Sequence, residues 1–203
     1  MNIKIQLANK KNYGSARATS TIKYLVIHYT GNDGDTDENN GRYFQNNVVQ
    51  ASAHYFVDDD SITQSVPDNY IAWHCGTNKG YKHKLCRNAN SIGIEICDDI
   101  KNGTIYSSPK TIANVLELVE HLMKKYNIPK ENVIRHYDVT GKHCPAYWID
   151  NNLWKKEFWN KINVAPDYKK IVKDRFDFAD VTVEWLSTYK YADALFEKLA
   201  TAK

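Results

Sequence analysis

The segment from Ile134 to Pro145 constrains the fold more than any other part of the sequence. It places an imidazole (His136), an amine (Lys142) and a thiol (Cys144) within nine residues, directly after an apolar run that predicts a strand. Imidazole and thiolate are preferred ligands of zinc. A fold that uses both must bring a third ligand to the end of that strand from elsewhere in the chain.

His28 is the best candidate for the third ligand. It lies in the β-branched and aromatic run Tyr24–Thr30, which ends in polar, glycine-containing residues and is therefore typical of a strand. A catalytic zinc ion usually takes three protein ligands and leaves its fourth position for water. The pattern predicts such a site at His28, His136 and Cys144, although His136 and Cys144 alone would also suit a buried core.

A carboxylate interrupts the strand Ser91–Cys97. The alternation in Ser-Ile-Gly-Ile-Glu-Ile-Cys places three isoleucines on one face and Glu95 on the other. A carboxylate in an apolar strand costs free energy unless a cation, a proton or a substrate pairs with it, and such surroundings raise its pKa. We therefore predict that Glu95 is a general base and acid. Lys142, two residues before Cys144, is the predicted donor to a developing oxyanion, although most loop lysines are simply solvated.

Length, charge and cysteine content limit the remaining options. The chain has 203 residues and 42% hydrophobic content, which suits one average domain with an appendage. A net charge of +3 gives no reason to propose nucleic acid as a partner. The sequence shows neither a signal peptide nor a run of 18 apolar residues, so we expect no membrane partner and synthesis in the cytoplasm. The four cysteines form no C-x-x-C pair, which favours reduced thiols, and pairing of Cys75 with Cys86 stays open.

Strand and helix patterns alternate along the chain. They predict an α/β fold with a mixed central sheet flanked by helices. The predicted elements are a short strand at Ile3–Ile5, a helix from about Thr36 to Asn47, a hairpin of Ala53–Val57 with Ser61–Val66, a helix capped by Ser108 and running to Tyr126, a strand at Asn132–His136, and a helix carrying Trp154, Phe158 and Ile162.

Five segments, taken together, resemble a known family over roughly residues 20–163. They are Val26–Thr30, Ser52–Val57, Ala72–His74, Ser91–Cys97 and the pattern from His136 to Pro145. Their order and spacing are similar to those of the zinc-dependent N-acetylmuramoyl-L-alanine amidases, a superfamily that includes phage endolysins and peptidoglycan recognition proteins. The Ser-x-His-Tyr and Gly-Ile-Glu-Ile-Cys patterns resemble most closely the endolysins of phages that infect Gram-positive bacteria.

The resemblance implies a function and a set of roles. It implies hydrolysis of the amide between N-acetylmuramic acid and the L-alanine of the stem peptide, with zinc-activated water as the nucleophile and bacterial peptidoglycan as the partner. His28, His136 and Cys144 match the zinc ligands, and Glu95 and Lys142 match catalytic positions. A zinc peptidase that cuts within the stem peptide and a non-catalytic peptidoglycan-binding protein remain alternatives; retention of Cys144 counts against the second.

Three further residues are weaker candidates for substrate binding. Trp73 and His74 lie in the long polar segment Pro67–Asn90, and loops of that length are often functional. A packed Trp–His pair explains these two residues equally well. Some relatives use a tyrosine near the first hairpin strand, where this chain has His54 and Tyr55, so Tyr55 is the third candidate.

The last part of the chain lies beyond the resemblance. We divide the chain into a catalytic domain, residues 1–164, and a helical segment, residues 165–203, in which two short amphipathic helices are predicted with Asp180 as a cap between them. Residues 167–203 hold seven basic and seven acidic side chains, which argues against electrostatic adhesion to wall polymers. The segment is expected to bind the cell wall, to self-associate or to dock on the catalytic domain. The protein is expected to act at the wall after its release from the host cytoplasm.

Overall fold

The chain divides into two compact units, Met1–Asn163 and Val164–Lys203. The computed structural model describes residues 1–163 and 168–202. The boundary expected between residues 164 and 165 therefore lies outside the described residues. Each unit has its own buried apolar cluster.

A six-stranded mixed sheet forms the centre of the first unit. The sheet has the order β1-β5-β4-β7-β3-β10, and β2–β6 and β8–β9 form two small additional sheets. Within the large sheet only β4 and β5 run antiparallel to each other. The strands are β1 (Ile3–Ile5), β2 (Tyr13–Ala16), β3 (Tyr24–Tyr29), β4 (Tyr55–Val57), β5 (Ile62–Gln64), β6 (Tyr70–Ala72), β7 (Ser91–Ile96), β8 (Asp99–Lys101), β9 (Thr104–Tyr106) and β10 (Val133–Arg135).

Four helices complete this unit, and the first two begin at the predicted caps. The helices are α1 (Asp37–Asn46), α2 (Pro109–Tyr126), α3 (His136–Thr140) and α4 (Asn151–Glu157). Thr36 Oγ1 accepts a hydrogen bond from the Asn39 amide, and Ser108 Oγ accepts one from the Thr111 amide. The mixed sheet flanked by helices confirms the predicted fold class.

The two faces of β7 have different environments. Ile92, Ile94 and Ile96 are fully buried in the main core together with the apolar side of α2. Glu95 points to the opposite face, as the alternation of a strand requires. Parallel pairing of β7 with β3 places Glu95 directly beside His28. The main core therefore lies on one side of the sheet, and Glu95 and His28 lie on the other, where a smaller apolar cluster surrounds Val26.

Two local predictions were wrong, and one hairpin was not predicted. His136 does not end a strand but begins α3. The long segment Pro67–Asn90 contains β6, which pairs with β2. The hairpin β8–β9 was missed, although Asn102 and Gly103 both adopt positive φ angles, the conformation that two-residue hairpin turns need and that Asn-Gly favours.

Residues 168–202, the described part of the second unit, form three helices rather than two. They are α5 (Tyr168–Phe176), α6 (Asp180–Ser187) and α7 (Ala192–Thr201). Val172 and Phe196 are buried between α5 and α7. Asp180 is the first helical residue of α6, and its N-cap is Ala179. Trp185 remains 72% exposed. In the described parts of both units, no helix combines the length and apolar character needed to cross a bilayer.

Candidate metal centre and active site

Three buried side chains converge at one edge of the central sheet. The candidate ligand atoms of His28, His136 and Cys144 all lie within 4.8 Å of one another. His28 Nδ1 is 3.8 Å from the sulfur of Cys144, and the rings of His28 and His136 have centroids 4.6 Å apart. The sequence prediction named these three residues from segments that are more than 100 positions apart.

The parallel strands bring these residues together. Register between β3 and β10 pairs Ile27 with Arg135, so His136 leaves the sheet next to His28. The amide of Tyr137 donates to the carbonyl of Cys144 at 2.9 Å, which folds the segment after α3 back over the strand ends. The ligand geometry therefore depends on backbone pairing and not on long flexible side chains.

Burial sets the protonation of the two histidines. It lowers the pKa of His28 well below its ordinary value and lowers that of His136 to about 3, with further lowering from neighbouring positive groups. Both rings are therefore neutral near pH 7, the form that ligates metals. Burial raises the pKa of the Cys144 thiol to about 12, and a coordinating metal would deprotonate it.

The three residues fit a zinc ion. Two nitrogens and one sulfur on a single tetrahedral zinc lie roughly 3.3–3.5 Å apart, close to the 3.8 Å between His28 and Cys144. Nδ1 of His136 is buried and has no hydrogen-bond partner. Buried polar atoms are nearly always paired, so an unpaired nitrogen within this cluster fits a role as a metal ligand. The donor set of two imidazoles and one thiolate is one that zinc prefers.

Glu95 lies beside this cluster. Its Oε1 is 3.8 Å from His28 Nδ1, and its Oε2 is buried without a hydrogen-bond partner. Burial raises the pKa of Glu95 to about 8, while the charge of Lys142 opposes that rise. The carboxyl group can therefore gain and lose a proton near neutral pH.

Lys142 is exposed and lines a cleft next to the cluster. The cleft has a volume of about 930 Å³ and also contains His136, Thr140, Gln50 and Lys79. Ligand sites are commonly clefts of roughly 300–1,000 Å³. Lys142 is held on a short loop, because its carbonyl accepts a hydrogen bond from the Cys144 amide at 2.8 Å.

The three weaker candidates lie in different surroundings. Trp73 is exposed and its indole lies against Gly14. His74 is half-buried, and both of its ring nitrogens lie 3.0 Å from protein partners, His28 and Ser91. Tyr55 is buried in the main core on the face opposite Glu95, where its hydroxyl donates to Asp68 at 2.7 Å.

Sequence reasoning missed other residues of this region. Gln50 and the Gly76–Lys79 segment of the cleft were not singled out, although the length of the Pro67–Asn90 segment pointed to function. Ser91 was treated only as the start of a strand. The cysteines at positions 75, 86, 97 and 144 are all buried free thiols.

Comparison with known proteins identifies the family. The family model described as N-acetylmuramoyl-L-alanine amidase matches residues 18–147, more than half of the chain. The N-acetylmuramoyl-L-alanine amidase CwlL of Bacillus licheniformis is 36% identical over 160 residues, covering 75% of this chain and 44% of that protein. This chain therefore belongs to the N-acetylmuramoyl-L-alanine amidase family, as the sequence motifs predicted.

Solved structures agree with this assignment. The catalytic domain of XlyA matches with a TM-score of 0.65 and 32% identity, covering 80% of this chain and all of that domain. A mutant endolysin from Bacillus subtilis matches with the same TM-score and identity, covering 80% of this chain and 99% of that chain. The chain spans less than half the length of three curated relatives that it matches, CwlL among them.

Proposed function

We propose that the first unit is a zinc-dependent peptidoglycan amidase. Its reaction is hydrolysis of the amide bond between N-acetylmuramic acid and the L-alanine of the stem peptide. The observation that carries the proposal is the buried cluster of His28, His136 and Cys144 beside the unpaired carboxyl of Glu95. The family membership supports the choice of bond, because the matched family model is described by that activity.

In this mechanism, zinc would supply Lewis acidity, and the side chain of Glu95 transfers protons. When bound by His28, His136 and Cys144, zinc supplies Lewis acidity that activates water and polarises the amide carbonyl. Glu95 accepts the proton of the attacking water and delivers it to the leaving nitrogen, which departs as the free amine of L-alanine. Burial raises the pKa of Glu95 above its ordinary value, which makes its carboxylate a stronger base than an exposed one and suits it to proton transfer.

Lys142 contributes positive charge to the same step. Its charge lowers the pKa values of His136 and Glu95, so its field reaches both sides of the cluster. The carbonyl oxygen becomes negative as water adds, and a cation beside it stabilises that charge more than it stabilises the ground state. The polar cleft that Lys142 shares with Gln50 and Thr140 is the proposed position of the substrate.

Digestion of purified sacculi with mass analysis of the fragments tests this assignment. An amidase releases peptides that begin with L-alanine and leaves intact glycan strands with free lactyl carboxyl groups. A zinc peptidase would instead release peptides cut at internal bonds. A recognition protein would bind sacculi and release nothing. A chelator should abolish the release, and added zinc should restore it.

The second unit is proposed to bind the cell wall, where the enzyme acts. Trp185, Tyr189 and Tyr191 expose large aromatic surfaces on and after α6, while the core of the unit is formed by Val172 and Phe196. Exposed aromatic side chains of this kind are common in recognition surfaces. Wall binding, rather than catalysis, is expected of this unit because every proposed catalytic residue lies in the first.

Removal of the second unit separates these roles. A chain that stops after Asn163 should cleave small soluble muropeptides at the full rate but lyse whole cells more slowly. Pull-down with intact walls and light scattering then distinguish lost wall binding from lost self-association. If the truncated chain showed unchanged cell lysis, unchanged wall binding and no loss of self-association by light scattering, the proposed role of this unit would be contradicted.

A further inference from the structure

A chain of hydrogen bonds runs from His28 away from the proposed metal. Nε2 of His28 lies 3.0 Å from Nδ1 of His74, and Nε2 of His74 lies 3.0 Å from the hydroxyl of Ser91. The Ser91 hydroxyl lies 2.7 Å from the carbonyl oxygen of Arg87. This series of hydrogen bonds thus joins the His28 ring to the backbone through two side chains, those of His74 and Ser91.

The direction of each hydrogen bond in the series follows from the group at its end, the carbonyl oxygen of Arg87. A carbonyl oxygen only accepts, so Ser91 donates its single proton to Arg87. Ser91 must then accept from Nε2–H of His74, which leaves Nδ1 of a neutral His74 as an acceptor. That acceptor takes Nε2–H of His28. The remaining nitrogen of His28, Nδ1, is therefore the one with a free lone pair.

That free lone pair faces the metal site. His28 Nδ1 is the atom that lies 3.8 Å from both Cys144 Sγ and Glu95 Oε1. The opposite tautomer would direct an N–H toward the ion and leave His74 without a donor. Hydrogen bonds to the second nitrogen of a ligating histidine are known to fix its tautomer and orientation.

The backbone is shaped to hold His74 in this position. A Cβ atom at Gly93 would lie 2.5 Å from Cγ of His74, so only glycine lets the ring lie against β7. The backbone amide of His74 donates to the side-chain oxygen of Asn88, which restrains the backbone that carries the ring. Both constraints act on His74 and neither involves the substrate cleft.

We propose that His74 is a positioning residue that locks His28 in the Nε2–H tautomer, and that Ser91 locks His74 in turn. This inference rests on the proposed metal site and assigns His74 a role behind it rather than in substrate binding. His74 acts through His28 and touches neither the substrate nor the ion.

The tautomer of His28 can be measured without metal. Long-range ¹H–¹⁵N correlation spectra of the metal-free protein should show His28 as the Nε2–H form alone. His74→Phe removes the acceptor while keeping a ring at this position, so His28 should become a mixture of tautomers. Zinc affinity, measured by competition with a chelator, should fall about 10- to 100-fold, the usual effect of losing such a partner.

Two variants and one control separate positioning from folding. His74→Asn restores an acceptor oxygen at the place of Nδ1 and should recover the Nε2–H tautomer and most of the affinity. Ser91→Ala leaves both rings in place but removes the acceptor of His74, so it should also mix the tautomers of His28. His121→Phe makes the same substitution at an exposed position of α2 and should change neither readout.

Several outcomes would overturn the proposal. One is an Nδ1–H tautomer of His28 in the unmodified protein; another is unchanged zinc affinity in a folded His74→Phe variant. If that variant fails to fold, unaltered His28 signals in Ser91→Ala would refute the proposal instead. Absence of zinc binding by the unmodified protein would refute the proposed metal site, whereas the tautomer measurement would still test the hydrogen-bond chain.

Discussion

Replacement of Arg135 by methionine should destabilise the first unit strongly. The Arg135 side chain is only 4% exposed. Its guanidinium donates twice to Asp138, at 2.9 and 2.7 Å, to the carbonyls of Trp148 and Ile149 at 2.7 and 3.1 Å, and to the side chain of Asn151 at 2.7 Å. One side chain therefore joins β10, α3 and the start of α4.

The expected loss of stability is large because the groups that accepted hydrogen bonds from Arg135 remain in the variant without that donor. Methionine retains much of the apolar stem of Arg135 but leaves the Asp138 carboxylate without its cationic partner and the Trp148 carbonyl without its side-chain donor. Asp138 keeps the hydrogen bond from the backbone amide of residue 135. Removing one member of a buried ion pair costs about 3–5 kcal/mol. For a domain of this size each kcal/mol shifts the Tm by about 2–4 °C, so a fall of roughly 6–20 °C is expected.

Thermal unfolding followed by circular dichroism measures this shift. Lys110→Met is the matched control, because Lys110 pairs with Asp60 at 3.1 Å with both side chains largely exposed. Such pairs contribute about 0–1 kcal/mol, so the control should move the Tm by no more than about 4 °C. Equal shifts in the two variants would refute the reasoning. Zinc affinity should fall only in Arg135→Met, because His136 follows Arg135 directly.

Three further predictions concern the site and its surroundings. Cys144→Ser should fold but lose most of its zinc and activity, as elemental analysis and muropeptide assays would show. Glu95→Gln should keep its zinc and lose roughly 10²–10⁴ in turnover, the usual contribution of general acid–base catalysis; near-full activity would remove Glu95 from the mechanism. Burial raises the pKa of Asp98 from 3.8 to about 7. Asp98 therefore contributes fully to the free energy of unfolding below about pH 4, and this contribution is lost as the pH rises through about 7. In Asp98→Asn, denaturant titrations should show no such decrease in the free energy of unfolding over this pH range.

The metal cluster could be predicted because each of its two segments carries a signal of its own in the sequence. His136 and Cys144 occur together after an apolar run, and His28 ends a strand with strong β-propensity. Parallel pairing of neighbouring strands then brings their ends to one edge of the sheet. The caps of α1 and α2 were predictable for the same reason, because a cap depends on residues three positions apart.

The hydrogen bonds that hold His28 in place could not be predicted in this way. His28, His74 and Ser91 are 46 and 17 positions apart, and no pattern in the sequence signals that their side chains meet. Tyr55 was a candidate from its neighbourhood in sequence, yet strand register turns it to the other face. The pairing of β2 with β6 is also non-local. Only the hairpin at Asn102–Gly103 carried a local signal that was overlooked.

Reconstitution of the metal-free protein with zinc tests the central claim most directly. The claim is that one ion held by His28, His136 and Cys144 activates the hydrolysis. Amide cleavage, followed during stepwise addition of zinc, should rise in proportion to added metal and stop rising at one equivalent per chain. The same titration of Cys144→Ser should give no such rise. Full activity of a preparation that elemental analysis shows to be free of metal would contradict the account.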